Sequence, residues 1–364
     1  MTPDSSPPSL RILLCGPTID QFPGGIAIQA ARLEAGMNSI PGVRLDQQGI
    51  TPQATGPFRP LQRVPGIRTV ITTVLLVSKL IRRVGHYDVV HVNSARFSSF
   101  LISSLPAVVV AKAWGRPVVL NYRHGNLDEE LARVGWLFRP LLRWADALAV
   151  PSGFLATVLG KAGLASTIIS NQVDLTRFRY RERRPLRPVF LSCRHFEDLY
   201  DVPTLIRAFG RIQAVRPDAR LLVAGKGAQE QEVRDLVHQL GLSNVEFLGQ
   251  VATADMPAVF DAADILLNSS RIDNTPGTIV EAFAAGLPVV STDPGGIPFL
   301  VDRDVTGRLV PIGDDQALAD AALDLLDRPD ATAEMARRAF DHASAHFSWD
   351  AVREKWLALY RGLR

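Results

Sequence analysis

The chain has 364 residues, 47% hydrophobic and 21% charged, with 40 lysines and arginines against 37 aspartates and glutamates for a formal charge of +3. This is the composition of a soluble globular protein, and the length exceeds one ordinary core, so two domains of similar size are expected. Two cysteines, Cys15 and Cys193, exclude a disulfide framework, and no cysteine or histidine spacing suggests a zinc site. The first residues, MTPDSSPPSLRILLCG, lack the pattern of a secretory signal. The apolar stretches 70–81 and 97–114 are interrupted by Lys79, Pro106 and Lys112, short of the roughly 18–20 unbroken residues that span a bilayer. A cytoplasmic location follows as the expectation. The basic stretch 177–187 has no aromatic interleaving, so nucleic acid is not an expected partner.

Residues 10–15 read as a buried strand that runs into Gly16-Pro17-Thr18 and Phe22-Pro23-Gly24-Gly25-Ile26, followed by a helix over 27–36. A glycine pair ahead of a helix lets backbone approach a ligand closely. It is not a G-x-G-x-x-G fingerprint, and no acidic residue closes a dinucleotide site. Arg63, Arg68, Lys79, Arg82 and Arg83 accompany the apolar stretch 70–81. That combination describes a membrane-surface helix or a core helix with a solvated basic edge. Residues 88–93 form a strand followed by a helix over 97–114, and 117–121 form the next strand. The loop after it, Tyr122-Arg123-His124-Gly125-Asn126, puts His124 at the carboxyl end of a parallel strand, where ligands bind. His91, inside its strand, reads as packed. Strands over 145–151 and 167–170 complete a first domain of about residues 9–172, with Ser152 capping the helix between them. Residues 177–188, polar, basic and proline-bearing, read as a linker.

The second half restarts the alternation of strand and helix: strand 188–193, helix 203–215, strand 220–224 ending in Gly225-Lys226-Gly227, helix 229–240, strand 245–248 and helix 256–262. The most informative stretch is 268–298, NSSRIDNTPGTIVEAFAAGLPVVSTDPGGIP. A polar loop holding Asp273, Asn274, Pro276 and Gly277 leads into a small-residue helix over 278–285 that Gly286 ends. A buried strand over 287–291 then meets the tight loop Asp293-Pro294-Gly295-Gly296. Asp273 and Glu281, eight residues apart, can face one crevice on either side of the helix N-terminus at Gly277 and Thr278. Unpaired N–H groups there suit a phosphate, and carboxylates suit vicinal sugar hydroxyls. A phosphate between two hydroxyl-rich groups is a nucleotide-sugar. The open alternative is that Asp273 begins a turn and Glu281 caps a helix, although Glu281 among Ile279, Val280, Ala282 and Phe283 is costly without partners. A strand at 306–310, helices over 315–326 and 331–347, and an amphipathic helix over 349–363 (Val352, Trp356, Leu357, Tyr360) end the chain.

These residues resemble glycosyltransferase family 4, retaining transferases of the GT-B fold. The family's signature is two acidic residues eight apart followed by "EAxAxGxPVVxTxxGGxPxxV". Here Glu281-Ala282-Phe283-Ala284-Ala285-Gly286-Leu287-Pro288-Val289-Val290 matches it, with Gly295, Gly296 and Pro298. Residues 301–310, 220–227 and Phe347-Ser348-Trp349 resemble further family segments, and "IDNxP" at 272–276 resembles a subgroup. The resemblance implies an α/β chain of two Rossmann-like parallel-sheet domains facing a central cleft. Residues 1–172 would bind the acceptor, 173–347 the nucleotide-sugar, and the helix of 348–364 would cross back to the first domain.

Carried over position by position, the resemblance gives Glu281 the ribose hydroxyls and gives Asp273, where the family has Glu, the donor sugar's hydroxyls. Arg194 would neutralise the diphosphate. Gly24 and Gly25 would line the phosphates and acceptor, and His124 would lie close to the transferred sugar. Asp273, His124 and Arg194 are thus the expected catalytic set. Gly24, Gly25, Arg194, Gly225, Lys226, Asp273, Asn274, Gly277, Thr278 and Glu281 are the expected donor-binding set. The family's "R-x(4)-K-G" lysine is missing, since residues 194–201 read RHFEDLYD and Tyr200 or a neighbour stands there. Lys226 could supply the second cation. The implied reaction moves a hexosyl unit from a UDP- or GDP-sugar to an acceptor hydroxyl on a polysaccharide or lipid-linked glycan, with retention, no cofactor and no metal. Peripheral contact with the inner membrane face is a further expectation. A non-transferring GT-B protein, a nucleotide-sugar epimerase or a catalytically silent binder, is the alternative.

Overall fold

The computed structural model describes all residues except 1–8, 22–23, 54–58, 60–61, 63 and 65. Phe22 and Pro23 of the first glycine loop and Arg63 of the basic segment therefore lie outside the described residues. The chain divides into two compact units, residues 1–172 with 352–364, and residues 173–351.

The first unit is built on strands β1 (Leu10–Gly16), β2 (Val43–Gly49), β3 (Val89–Ser94), β4 (Val118–Tyr122), β5 (Ala147–Val150) and β6 (Thr167–Ile168). They form one sheet in the order β2-β1-β3-β4-β5-β6, with parallel pairing throughout. The strands read as continuous Val, Ile and Leu because helices cover both faces, as parallel sheets require. Leu13 pairs with Val90 and Val90 with Val118. This row packs with Leu76, Leu80, Phe100, Val108, Phe138 and Leu142 in one core. On the opposite face His91 is fully buried; its Nδ1 lies 2.7 Å from the Tyr360 hydroxyl and its ring centroid 4.8 Å from that of Trp356. These two aromatics belong to the helix Trp349–Gly362, whose Val352, Trp356, Leu357 and Tyr360 are buried.

The second unit carries β7 (Val189–Cys193), β8 (Arg220–Ala224), β9 (Val245–Gly249), β10 (Ile265–Asn268), β11 (Val289–Thr292) and β12 (Arg308–Val310), in the order β12-β11-β10-β7-β8-β9, again all parallel. From β7 the chain winds outward through β8 and β9 on one side. It then returns to β10 and winds through β11 and β12 on the other. The reversal opens a crevice between the carboxyl ends of β7 and β10, the point at which doubly wound sheets bind ligands.

Four expectations are corrected. Strand β2 has no apolar run in the sequence, only the alternation VRLDQQG of a half-covered edge, so it escapes notice. The segment 97–113 is not one regular helix: Phe100–Ser104 forms a π turn ahead of Leu105–Ala113. Pro106 sits in the first turn of that last piece, where its missing N–H is tolerated. Residues 177–188 are not a loose linker. Arg183, 3% exposed, donates to the carbonyls of Phe260 (3.1 Å), Arg181 (2.7 Å) and Ala285. Arg181 and Arg187 pair with the fully buried Asp264, which such partners make affordable. Finally, Arg83 does not belong to a free basic edge. Its guanidinium donates to the Gln47 carbonyl (3.2 Å), Gln48 Oε1 (2.9 Å) and the Tyr87 hydroxyl (3.0 Å).

Candidate functional site

The second unit gathers most of the expected residues at its switch point. Arg194 follows directly on β7, and burial pulls its pKa below the ordinary guanidinium value. Nε donates to Asn268 Oδ1 at the end of β10 (2.8 Å), and Nη2 donates to Ser270 Oγ (3.3 Å) and to Asp273 Oδ2. Both members of the Arg194–Asp273 ion pair are nearly covered, with side chains 11% and 13% exposed. Below the guanidinium lies the Tyr200 ring, 4.7 Å away. The stretch in which the family resemblance expects a lysine thus carries an aromatic ring that stacks on the arginine.

The loop of Asp273 is clamped from two sides. Asp273 Oδ1 accepts from the Asn274 N–H (2.8 Å), and the Asp273 carbonyl accepts from the Gly296 N–H (3.0 Å). A Cβ on Gly296 would lie 2.0 Å from the Asn274 carbonyl oxygen, so only glycine lets the two loops meet. The helix that follows, Gly277–Ala285, has Pro276 at its N-cap, a residue that makes no side-chain capping bond to the first turn at Gly277 and Thr278. A helix N-terminus of this kind carries the positive dipole end that favours an anion. Glu281, half-buried, lies close enough to act electrostatically on both Arg194 and Cys193.

The third strand end contributes Gly225, Lys226 and Gly227. Gly225 has φ +156° and presses on Arg194, since a Cβ there would meet the Arg194 carbonyl at 2.0 Å. A Cβ on Gly227 would meet the Phe196 carbonyl at 2.3 Å. Between them the Lys226 carbonyl accepts from the Phe196 N–H (3.1 Å), while its side chain is exposed. Close packing of two glycines thus fixes the lysine backbone beside that of Arg194 and leaves the lysine exposed.

In the first unit, Gly24 is the N-cap of the helix Gly25–Asn38, and no atom of the described residues beyond the chain neighbours comes within 4 Å of where a Cβ would sit on either glycine. His124 stands in the loop after β4. Its Nε2 lies 3.0 Å from Arg96 Nε and its Nδ1 3.3 Å from the Asn126 N–H. Burial, and then Arg96, hold its pKa below the usual imidazole value. The loop is braced by Glu130, a buried carboxylate that accepts from the Tyr122 hydroxyl (2.7 Å) and the Phe97 N–H (3.1 Å). Sequence reasoning passed over Asn268, Ser270 and Glu130. The signal for the first two is the polar run Asn268-Ser269-Ser270 straight after an apolar strand; all three side chains are buried.

Residues 187–328 match the family described as "Glycosyl transferases group 1", and residues 41–177 match "Glycosyltransferase Family 4". The chain is 29% identical over 342 residues, 84% of its length and 78% of the relative's, to a D-inositol 3-phosphate glycosyltransferase of Saccharomonospora viridis. It is 27% identical over 281 residues, 69% of its length and 71% of the relative's, to a GDP-mannose-dependent alpha-(1-6)-phosphatidylinositol monomannoside mannosyltransferase of Mycobacterium tuberculosis. The structure of the Anabaena protein HepE in complex with UDP superposes with a TM-score of 0.77 at 21% identity, over 97% of this chain and 100% of that one. That likeness concerns the fold: two Rossmann-like α/β domains.

Proposed function

Since the chain belongs to the family 4 glycosyltransferases of the GT-B fold and is a glycosyltransferase acting on nucleotide sugars, we propose that it moves a hexosyl unit from a UDP- or GDP-sugar to an acceptor hydroxyl with retention of configuration. The observation that carries the reading is the cluster at the second switch point. There a nearly covered arginine, an exposed lysine, a helix N-terminus and two carboxylates stand at or just beyond the strand ends of the second sheet.

Arg194, Lys226 and the N–H groups at Gly277 and Thr278 take the diphosphate and spread the charge that develops as its bond to the anomeric carbon breaks. Glu281 accepts from the ribose hydroxyls, and Asp273 with Asn274 faces the sugar while orienting Arg194. Gly24 and Gly25 let first-domain backbone approach the phosphates and acceptor. His124, held neutral by burial and Arg96, faces the sugar. The acceptor oxygen enters on the face that the diphosphate leaves, through an oxocarbenium-like state. Side-chain cations and the helix dipole supply the positive charge, so the reading assigns no role to a divalent metal or a cofactor. The names of the relatives support UDP and GDP as the donor nucleotides to try first. They also support a glycan or glycolipid acceptor. We further propose that this acceptor is met by peripheral contact at the inner membrane face.

The test is incubation of the purified protein with radiolabelled UDP- and GDP-hexoses and a panel of glycan and glycolipid acceptors. Label transferred with the anomeric configuration kept is the expected result. Hydrolysis or epimerisation without transfer in every combination would replace this reading with the non-transferring alternative.

A further inference from the structure

An arginine carries five N–H donors on a planar guanidinium. Arg194 spends three of them on the protein: Nε–H on Asn268 Oδ1, and the pair on Nη2 on Ser270 Oγ and Asp273 Oδ2. The pair on Nη1 has no acceptor among the described residues. Nη1 is also not one of the buried nitrogens left without a partner, so it reaches solvent. One edge of the cation is therefore fixed, and another is left for a ligand. Hydrogen bonds along one edge do not fix the tilt of the plane about that edge. The Tyr200 ring can, because it covers one face of the guanidinium with its centroid 4.7 Å from the central carbon.

The ring is placed by backbone rather than by its hydroxyl, which has no hydrogen-bond partner among the described residues. Asp198–Tyr200 is a single 3-10 turn, laced to the loop that carries Asp273. The Leu199 carbonyl accepts from the N–H groups of Arg271 (2.8 Å) and Ile272 (3.2 Å), and the Tyr200 carbonyl accepts from Ser269 Oγ (2.9 Å). Asp201 closes the turn at φ +45° and is 5% exposed. Its Oδ2 accepts from Arg271 Nε and Thr204 Oγ1, both at 2.8 Å. The loop that supplies the carboxylate partner of Arg194 is thus the one that holds the ring against its face.

We propose that Tyr200 is a positioning residue for the diphosphate: its ring sets the tilt of the Arg194 guanidinium and so keeps the Nη1 donors in line with the diphosphate oxygens. The inference rests on the proposed function, which gives the diphosphate to Arg194, and deepens it. A lysine at this stretch would add charge. An aromatic face adds none and fixes direction instead, which two parallel N–H groups need in order to meet two phosphate oxygens. Direction thereby replaces the second cation that the family resemblance expects.

The experiment is calorimetry of the full chain with UDP and UMP, and with GDP and GMP, because the difference within each pair isolates the second phosphate. The parent should bind one diphosphate at least about ten-fold more tightly than its monophosphate. Tyr200→Leu and Tyr200→Met keep the apolar contact that Tyr200 makes with the core and remove the flat face. Both should lose most of the preference, with monophosphate affinity held within about two-fold. Tyr200→Phe keeps the ring and should keep the preference. Circular dichroism and urea midpoints confirm folding of each variant. A preference that survives in a folded leucine or methionine variant overturns the inference and leaves the diphosphate site in place. Equal loss of monophosphate and diphosphate affinity overturns it too, and makes Tyr200 a contact of the nucleoside. A phenylalanine variant as impaired as the leucine variant would move the role from the ring to the hydroxyl. A parent without any preference for the diphosphate removes the assignment of Arg194 itself, and the inference falls with it.

Discussion

Arg194 and Asp273, 79 residues apart in the chain, are ion-paired at the carboxyl edge of the second sheet. The cation assigned to the diphosphate is therefore already neutralised and held in one orientation by Asn268, Ser270 and Asp273. A donor must share that guanidinium with Asp273 rather than find it free. Asp273→Asn is expected to leave the fold intact and to keep or tighten nucleoside diphosphate binding, while turnover falls by about two orders of magnitude as the cation loses its orientation. Calorimetry with UDP and GDP beside steady-state kinetics separates the two effects. Unchanged turnover would reduce the pair to a structural brace.

Glu281 sits half-buried in a largely apolar helix at the carboxyl edge of the second sheet, within electrostatic reach of Arg194. Glu281→Gln should weaken nucleotide affinity by about 1.5–3 kcal/mol, the usual worth of hydrogen bonds to a charged group. Titration of UDP and GDP against the folded variant checks it, and an affinity equal to the parent's excludes Glu281 from the ribose.

Lys226 is exposed, so its removal should cost less than about 0.5 kcal/mol of stability. If it shares the diphosphate with Arg194, Lys226→Ala should lower turnover by ten-fold or more, and Lys226→Arg should restore part of it. Parallel denaturant curves and rate measurements tell the two properties apart.

Two glycine loops make opposite predictions. A methyl on Gly296 would press into the Asn274 carbonyl, so Gly296→Ala should destabilise the second domain by about 1–3 kcal/mol. A methyl on Gly24 meets no atom of the described residues within 4 Å, at an extended backbone position with φ −143°, so Gly24→Ala should leave stability unchanged. Any loss of donor or acceptor affinity in that variant then reports a ligand that approaches the backbone there. Equal melting temperatures for the two variants would contradict the assigned packing.

Much of this architecture is legible in the sequence because parallel strands are buried on both faces and announce themselves as unbroken Val, Ile and Leu runs, as at Val289–Thr292. The edge strand Val43–Gly49 lacks that signal and was missed. The paired acids and Gly286 were legible because their spacing follows local geometry. The Arg194–Asp273 pair was not, because sheet order decides which strand ends become neighbours, and neither residue type names its partner. The same holds for Arg183. A basic, proline-bearing stretch looks like a linker until the buried carbonyls that it satisfies are seen.

His91 carries a last prediction, which concerns stability. It is fully buried against Trp356 and Tyr360, and burial together with the nearby positive charge of Arg123 pushes its pKa down from 6.5 to about 3. The unfolded chain takes up a proton near pH 6.5, but the native protein does so only near pH 3. Between those values the unfolded state binds one proton more, so stability falls as the pH falls, by about 1.4 kcal/mol per unit from this residue alone. Above pH 6.5 the neutral ring makes no pH-dependent contribution. His91→Asn keeps a polar atom within reach of Tyr360 and removes the titration. Its urea-unfolding free energy should therefore decline less steeply than the parent's between pH 6.5 and 4.5. Other titrating groups are common to both proteins, so the difference in slope isolates this histidine. Parallel curves would mean that the imidazole can take its proton in the folded state, which its packing against Trp356 and Tyr360 forbids.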